Sequence, residues 1–408
     1  MPTRFTPFLL FAALTTAPAA AQLGLPQVGR TVNGVLDRAG RTLDPVQSAV
    51  GDVARGSSRL ADARLMRLRN LVRENREVLE LDAAGNPARR GELLLIGASD
   101  AEVARVEAAG FAVLGRERLN TLDIAVVRLG TPARQSLAEA EVSLRRVLPN
   151  ATISADTLHF QSGAPVSGRA ARLARAAPID QPVGVIDGAP GASIPVAAIR
   201  GFARGAPTPS HHGSAVASLL QLAGVRRIAV ADVYGTDAAG GNALALTRGL
   251  DWLIGVQGVR VVSISLVGPN NPLVARAIAA AQRRGVHIVA AVGNDGPAAP
   301  PSYPASYPGV IAVTAVDGRG RALIEAGRAA HLDYAAPGAD MLAADARGQW
   351  NRVRGTSYAV PFVAARAAAA LDTGVRSTLD REALDLGRKG PDPVFGRGLL
   401  CRNCARKK

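Results

Sequence analysis

The chain has 408 residues, 48% of them apolar and 20% charged, with a formal charge of +15 at pH 7. That apolar content supports a sizeable core and excludes a wholly disordered chain. Lys stands only at Lys389, Lys407 and Lys408, so the basic excess is nearly all Arg, and the scarce aromatics are not interleaved with it. This describes a solvated basic surface, and no nucleic-acid partner is expected.

In chain order, Arg4 precedes an apolar run, Phe8 to Leu14, that ends in Ala19-Ala20-Ala21. A short basic region, an apolar stretch and a small-residue site predict a signal peptide over 1–21 and a protein exported to the periplasm or the medium. No later stretch is apolar for long enough to predict a membrane span. Residues 22–90 read as a helical or partly disordered leader, in which Leu60, Leu65, Leu68, Leu71 and Val72 keep helical spacing. From about 91 to 162 the order is strand (Leu93 to Ile96), helix, strand (Ala112 to Leu114), strand (Ile124 to Leu129), helix, and an extended end at Asp156 to Phe160. That β-α-β-β-α-β order predicts a small ferredoxin-like α+β domain.

Residues 163 to 182 are rich in Gly, Ala, Arg and Pro and read as an exposed linker. A second domain, 178–400, alternates apolar strands with helices. The strands are Val183 to Ile186, Arg227 to Val233, Val261 to Leu266, Val286 to Val292 and Val310 to Val316. Strands apolar throughout, with helices between them, predict an α/β fold: a parallel sheet covered on both faces. Functional groups then collect beyond the carboxyl ends of the strands. Cys401 and Cys404 in the 401–408 tail suit either a small disulfide loop or a dispensable end, and a single C-x-x-C is half a zinc site. No metal or cofactor is expected, and no segment reads as a calcium loop.

Four segments carry chemistry. Val183-Gly184-Val185-Ile186-Asp187-Gly188 ends a strand in an acid, His211-His212-Gly213-Ser214-Ala215-Val216-Ala217 opens a helix with histidine, and Gly355-Thr356-Ser357-Tyr358-Ala359-Val360-Pro361 opens another with serine. A serine hydroxyl attacks only when a base takes its proton; histidine suits that task, and a carboxylate holds the imidazole in the right tautomer. The fourth, Val292-Gly293-Asn294-Asp295-Gly296, supplies an amide donor for an oxyanion.

These motifs, in this order, resemble the subtilase family of serine proteases over about 178 to 400. The resemblance implies Asp187, His212 and Ser357 as the catalytic triad and Asn294 as oxyanion donor. It implies polypeptide substrates bound along Ser265, Leu266, Val267 and Gly268 and against Ala291 and Gly293. It also implies that the ferredoxin-like domain is a propeptide that blocks the site until it is cleaved. His211 competes with His212, but the H-G-S-A-V-A register favours the second. Gly188 departs from the family's usual Ser or Thr, Tyr358 from a smaller or more polar residue, and Val267 from a glycine. If Val267 faces the pocket, it leaves a shallow apolar site for Ala, Val or Leu; if it points away, the pocket is unchanged. Two other classes compete: a catalytically silent binding protein on this scaffold, and a secreted inhibitor acting through 91 to 160.

Overall fold

The computed structural model describes residues 44–168, 170 and 173–401, with side chains from 56 onward. Contacts divide the chain into Met1–Asp52 and Val53–Lys408. The first unit is described only where the leading helix begins. The expected signal peptide and residues 402–408 lie outside the described residues. No helix among the described residues is long and apolar enough to cross a membrane. Cys401 is disulfide-bonded.

Helix α1 (Asp44–Glu74) leads into β1 (Leu79–Leu81), β2 (Pro87–Ile96), α2 (Asp100–Ala108), β3 (Ala112–Leu119), β4 (Ile124–Gly130), α3 (Leu137–Val147) and β5 (Thr152–Thr157). The strands form an antiparallel sheet in the order β5-β2-β4-β3, with β1 on the free end of β2. This is the ferredoxin-like arrangement the sequence predicts. Both its helices begin with reciprocal caps, Ser99 with Glu102 and Ser136 with Glu139. The run Leu93 to Ile96 is apolar without alternation because both faces of β2 are covered. Leu93 and Leu95 point to α2 and α3, while Leu94 and Ile96 enter the core of the larger domain.

The chain then forms two short strands, β6 (Phe160–Gln161) and β7 (Ala164–Pro165), before β8 (Val183–Asp187), β9 (Ala198–Gly201), α4 (His211–Leu222), β10 (Ile228–Asp232), α5 (Ala243–Gly255), β11 (Val261–Ile264) and β12 (Leu266–Val267). Helix α6 (Pro272–Arg283), β13 (His287–Ala291), β14 (Ile311–Val316), β15 (Tyr334–Pro337), β16 (Met341–Ala344), β17 (Trp350–Arg354), α7 (Val360–Ala369) and α8 (Val375–Glu382) come after them. Seven parallel strands run β15-β14-β13-β11-β8-β10-β9. One face packs on α4 and α7, the other on α5 and α6. Alternate residues of each strand serve the two cores, which is why the strands read as unbroken apolar runs.

The ferredoxin-like sheet sits on α5 and α6. Leu119, Leu122, Ile124 and Val126 share a core with Leu250, Leu253, Leu273 and Val274. Polar contacts fix the register. Arg248 makes a bidentate pair with Glu117 (2.6 and 2.7 Å), and Asp156 accepts the Leu244 N–H at 2.9 Å. The Asn271 amide donates to Ser154 Oγ, Ala155 O and Thr157 Oγ1 at 2.8–3.0 Å.

The stretch expected to be an exposed linker is exposed at Ala164 and Pro165 but is held in place. Strand β6 pairs with β12, β7 pairs with the end of β17, and the Val166 N–H donates to Arg352 O at 2.8 Å. The extended end expected at Asp156 to Phe160 also divides. Thr152–Thr157 closes the small sheet, and Phe160 belongs to the larger domain.

Candidate active site

Asp187 is the last residue of β8, on the strand beside which the chain order of the sheet reverses, so it stands at the open carboxyl edge. Its side chain is wholly buried and accepts the Gly188 N–H at 2.7 Å. His212 is the second residue of α4, and its Nδ1 lies 3.0 and 2.9 Å from the two Asp187 oxygens. That contact favours the tautomer with Nδ1 protonated and Nε2 free to take a proton. Nε2 is buried and has no hydrogen-bond partner among the described residues. His211 points outward, its ring near Asp345.

Three close approaches explain the local sequence. Ser210 caps α4 by accepting the Gly213 N–H. A Cβ at Gly188 would stand 2.5 Å from Ser210 Cβ, and one at Gly213 would strike the Gly188 carbonyl. Glycines at 188 and 213 therefore let the start of α4 lie directly on the end of β8, bringing His212 to Asp187.

Ser357 lies in a 3₁₀ turn, Thr356–Tyr358, just before α7, with Pro361 in the helix's first turn. Its hydroxyl donates to Ser265 O at 3.0 Å, and Ser265 Oγ returns a bond to Ser357 O at 2.9 Å. Asn294 lies just past β13. Its Oδ1 accepts the Thr356 N–H at 3.0 Å, which turns Nδ2 toward the site, where it is buried and unpartnered. A buried N–H donor is thus left free close to Ser357.

The chain's own residues 160–165 thread this site. Leu266 pairs with Gln161 and Val267 with Phe160, antiparallel. Ser162 Oγ is 2.8 Å from Ser357 Oγ. Ser162 O and Asn294 Nδ2 crowd the same spot, 3.3 and 2.8 Å from where a Cβ on Gly355 would be. The Gln161 amide donates to Asp187 Oδ1 at 2.9 Å. Gln161, Ser162 and Ser210 were not singled out from the sequence. Only Ser210 carried a local signal, a serine directly before a helix.

Val267 faces across to Gly293, with Cγ1 3.3 Å from where a Gly293 Cβ would be, so it narrows the gap rather than pointing away. Gly268 exchanges backbone bonds with Tyr303 and sits against the His159 ring. Ala291 is a correction. It lies inside β13 with its side chain in the core beneath the sheet, because it shares Val289's face of the strand. Leu266 likewise buries its side chain and offers only backbone. Among the described residues, no three His, Cys, Asp or Glu side chains come together as a metal site.

The subtilase family profile matches residues 203–398, beginning after Asp187. Minor extracellular protease Epr of Bacillus subtilis is 28% identical over 47% of this chain and 30% of its own length. Subtilisin Savinase of Lederbergia lenta is 31% identical over 47% of this chain and 74% of its own length. Coverage of relatives therefore varies, from under a third of Epr to about three quarters of Savinase. Fervidolysin of Fervidobacterium pennivorans, a keratinolytic enzyme related to subtilisin, superposes with a TM-score of 0.65 at 18% identity, over 78% of this chain and 61% of its own. At that identity the superposition speaks for the fold alone. The Savinase match, carried at 31% identity through most of that protein's length, adds descent, and the chain belongs to the subtilase family.

Proposed function

We propose that the chain is the precursor of an exported serine endopeptidase, with Asp187, His212 and Ser357 as its triad and Asn294 as oxyanion donor. The ferredoxin-like unit is its propeptide and inhibitor, and the first bond it cuts is its own Ser162–Gly163. The observation that supports this reading is the threading of 160–165, which pairs with β12 as an added substrate strand would, with the Ser162 carbonyl oxygen and Asn294 Nδ2 both next to Gly355. Export rests on the signal-peptide pattern of residues 1–21.

Each step uses groups already in place. Ser357 Oγ turns from Ser265 O toward His212 Nε2, gives up its proton there and attacks the Ser162 carbonyl carbon. The carbonyl electron pair moves onto oxygen, and the Asn294 Nδ2–H donates to it. The bond to Gly163 breaks, its nitrogen takes the proton from His212, and Ser162 is left as an ester on Ser357. Water, deprotonated by His212, then releases the Ser162 carboxylate. Before the cut, the Ser162 hydroxyl engages the nucleophile, and Gln161 bonds to Asp187. Val267 against Gly293 leaves room for small or medium acyl-side residues, and Ser162 is small.

Wild-type protein purified in protease-free form should yield a mature chain starting at Gly163, while Ser357→Ala stays uncut. A fluorophosphonate should label only the wild type. Equal maturation of both forms would show that the cut is not its own work.

A further inference from the structure

We infer that Tyr358 makes the leaving-group side of this site selective for glycine, so that the enzyme cuts where a small residue precedes Gly. The inference rests on the reading above that Ser162–Gly163 lies as a substrate does, and it concerns the residue on the leaving-group side of the cut.

Gly163 is enclosed on two sides. A Cβ there would stand 2.6, 3.1 and 3.3 Å from Cε2, Cζ and Cδ2 of the Tyr358 ring. No side chain fits that space unless the ring moves. On the other side, Gly163 Cα is 2.7 Å from where a Gly355 Cβ would be, so the segment already lies against the Gly355 backbone and cannot retreat that way. The φ of Gly163 is +142°, a conformation that residues with a Cβ rarely adopt. Crowding and backbone conformation are separate demands, and glycine meets both.

The ring is not free to swing aside. Tyr358 is 2% exposed, belongs to the core under α4 and α7, and lies tilted against the His212 imidazole with ring centres 5.5 Å apart. Its backbone is the residue after Ser357, inside the same short turn. Moving the ring therefore disturbs the base, and moving the backbone disturbs the nucleophile. The shape of the site thus ties the choice of leaving-group residue to the catalytic groups themselves. Val267 closing on Gly293 restricts the acyl side to small or medium residues, of which Ser162 is one. Together they describe a substrate class: extended, glycine-rich segments with Ser-Gly or Ala-Gly bonds.

The test uses mature enzyme and two peptides, one copying residues 158–166 and a twin with alanine at the position of Gly163. Wild type should favour the glycine peptide in kcat/KM by about 100-fold, the rate equivalent of forcing one carbon into a packed site. Tyr358→Phe keeps the ring and should keep that preference; Tyr358→Ala should bring the two peptides within about fivefold. In the full chain, Gly163→Ala should block the cut at 162–163, and adding Tyr358→Ala should restore it. Wild type that cuts both peptides equally overturns the inference. So does a Tyr358→Ala enzyme that still cuts the glycine peptide and still refuses the other. Casein hydrolysis and fluorophosphonate labelling in the same samples separate the two failures. A labelled, casein-active wild type indifferent to alanine overturns the glycine rule alone, whereas an unlabelled, inactive one overturns the protease reading and this inference together.

Discussion

At the scale of single residues, the site depends on missing side chains as much as on those present. Asn294 Nδ2 and the Ser162 carbonyl oxygen both lie beside Gly355, in space that a side chain at 355 would fill. Asn294→Ala should lower kcat by about 10²–10³ with little change in KM, the range found when a subtilisin loses its oxyanion asparagine. Steady-state kinetics on a peptide substrate checks this; a change confined to KM would make Asn294 a binding group. Gly188 is the other case. The space a serine would need is taken by Ser210, the cap of the helix that carries His212. In an uncut Ser357→Ala background, Gly188→Ser should cost about 1–3 kcal/mol by overpacking. Ser210→Gly in the same chain should recover most of it, because it removes the opposing Cβ. Denaturant melts of the three proteins test this, and a second substitution that adds to the loss would place the strain elsewhere.

At the scale of elements, α1 spans the entrance to the cleft. Ser57 Oγ accepts the Ala298 N–H, Leu60 lies on Gly296, and Arg64 and Arg67 pair with Asp295, the residue after Asn294. Further along, Leu71 and Val72 pack with Leu79, Leu158 and Phe160 at the base of β6. The helix thus ties the loop after Asn294 to β6, across a cavity of about 990 Å³ lined by both. Partly exposed ion pairs are worth about 1 kcal/mol or less each, so the apolar end should dominate. Leu71→Ala with Val72→Ala should shorten the interval between the self-cut and the appearance of casein hydrolysis more than Arg64→Ala with Arg67→Ala; the reverse order would make the ion pairs the main tether. The helical spacing of Leu60, Leu68 and Leu71 was legible in the sequence, but not the surface the helix packs on. The same holds for β6. Two residues, Phe and Gln, carry no strand signal, and their partner Leu266–Val267 lies over a hundred positions away. Asp187, His212, Asn294 and Ser357 were legible because each sits in a short motif whose glycines are dictated by contacts at that point. Strands β9 and β15 escaped because AIRG and YAAP lack the branched apolar runs of central strands.

At the scale of the whole molecule, several arginines fasten strands, loops and domains through ion pairs, such as Arg128–Glu92, Arg248–Glu117, Arg354–Glu325 and Arg366–Glu382. Two buried groups at the domain junction then govern how docking responds to acid. Burial, reinforced by Glu92, raises the Asp156 carboxyl to about 7, against the opposing Leu244 N–H, Arg89 and Arg248. Burial lowers the His159 imidazole to about 4, outweighing the backbone at Gly241 and Thr157, and neither ring nitrogen has a hydrogen-bond partner among the described residues. The signs are opposite. As pH falls from 7 toward the ordinary value of 3.8, the docked form takes up a proton at Asp156 and docking strengthens. As pH falls from 6.5 toward 4, the released form takes up a proton at His159 and docking weakens. Between about 6.5 and 4 the two slopes offset each other, so, with the small domain acting as the proposed propeptide, this pair should leave its docking nearly independent of pH. Asp156→Asn removes one side of the balance. In that variant, docking should weaken by up to about tenfold for each pH unit below 6.5, equal to about 1.4 kcal/mol per unit. His159→Phe should do the opposite and hold the propeptide more tightly as pH falls from 7. Inhibition of the cut wild-type, Asp156→Asn and His159→Phe enzymes, tracked from pH 7 to 4.5 by recovery of peptide hydrolysis after dilution and return to neutral pH, measures both slopes. Parallel curves for all three would mean that neither group titrates across docking, and that acid acts on the complex through other residues.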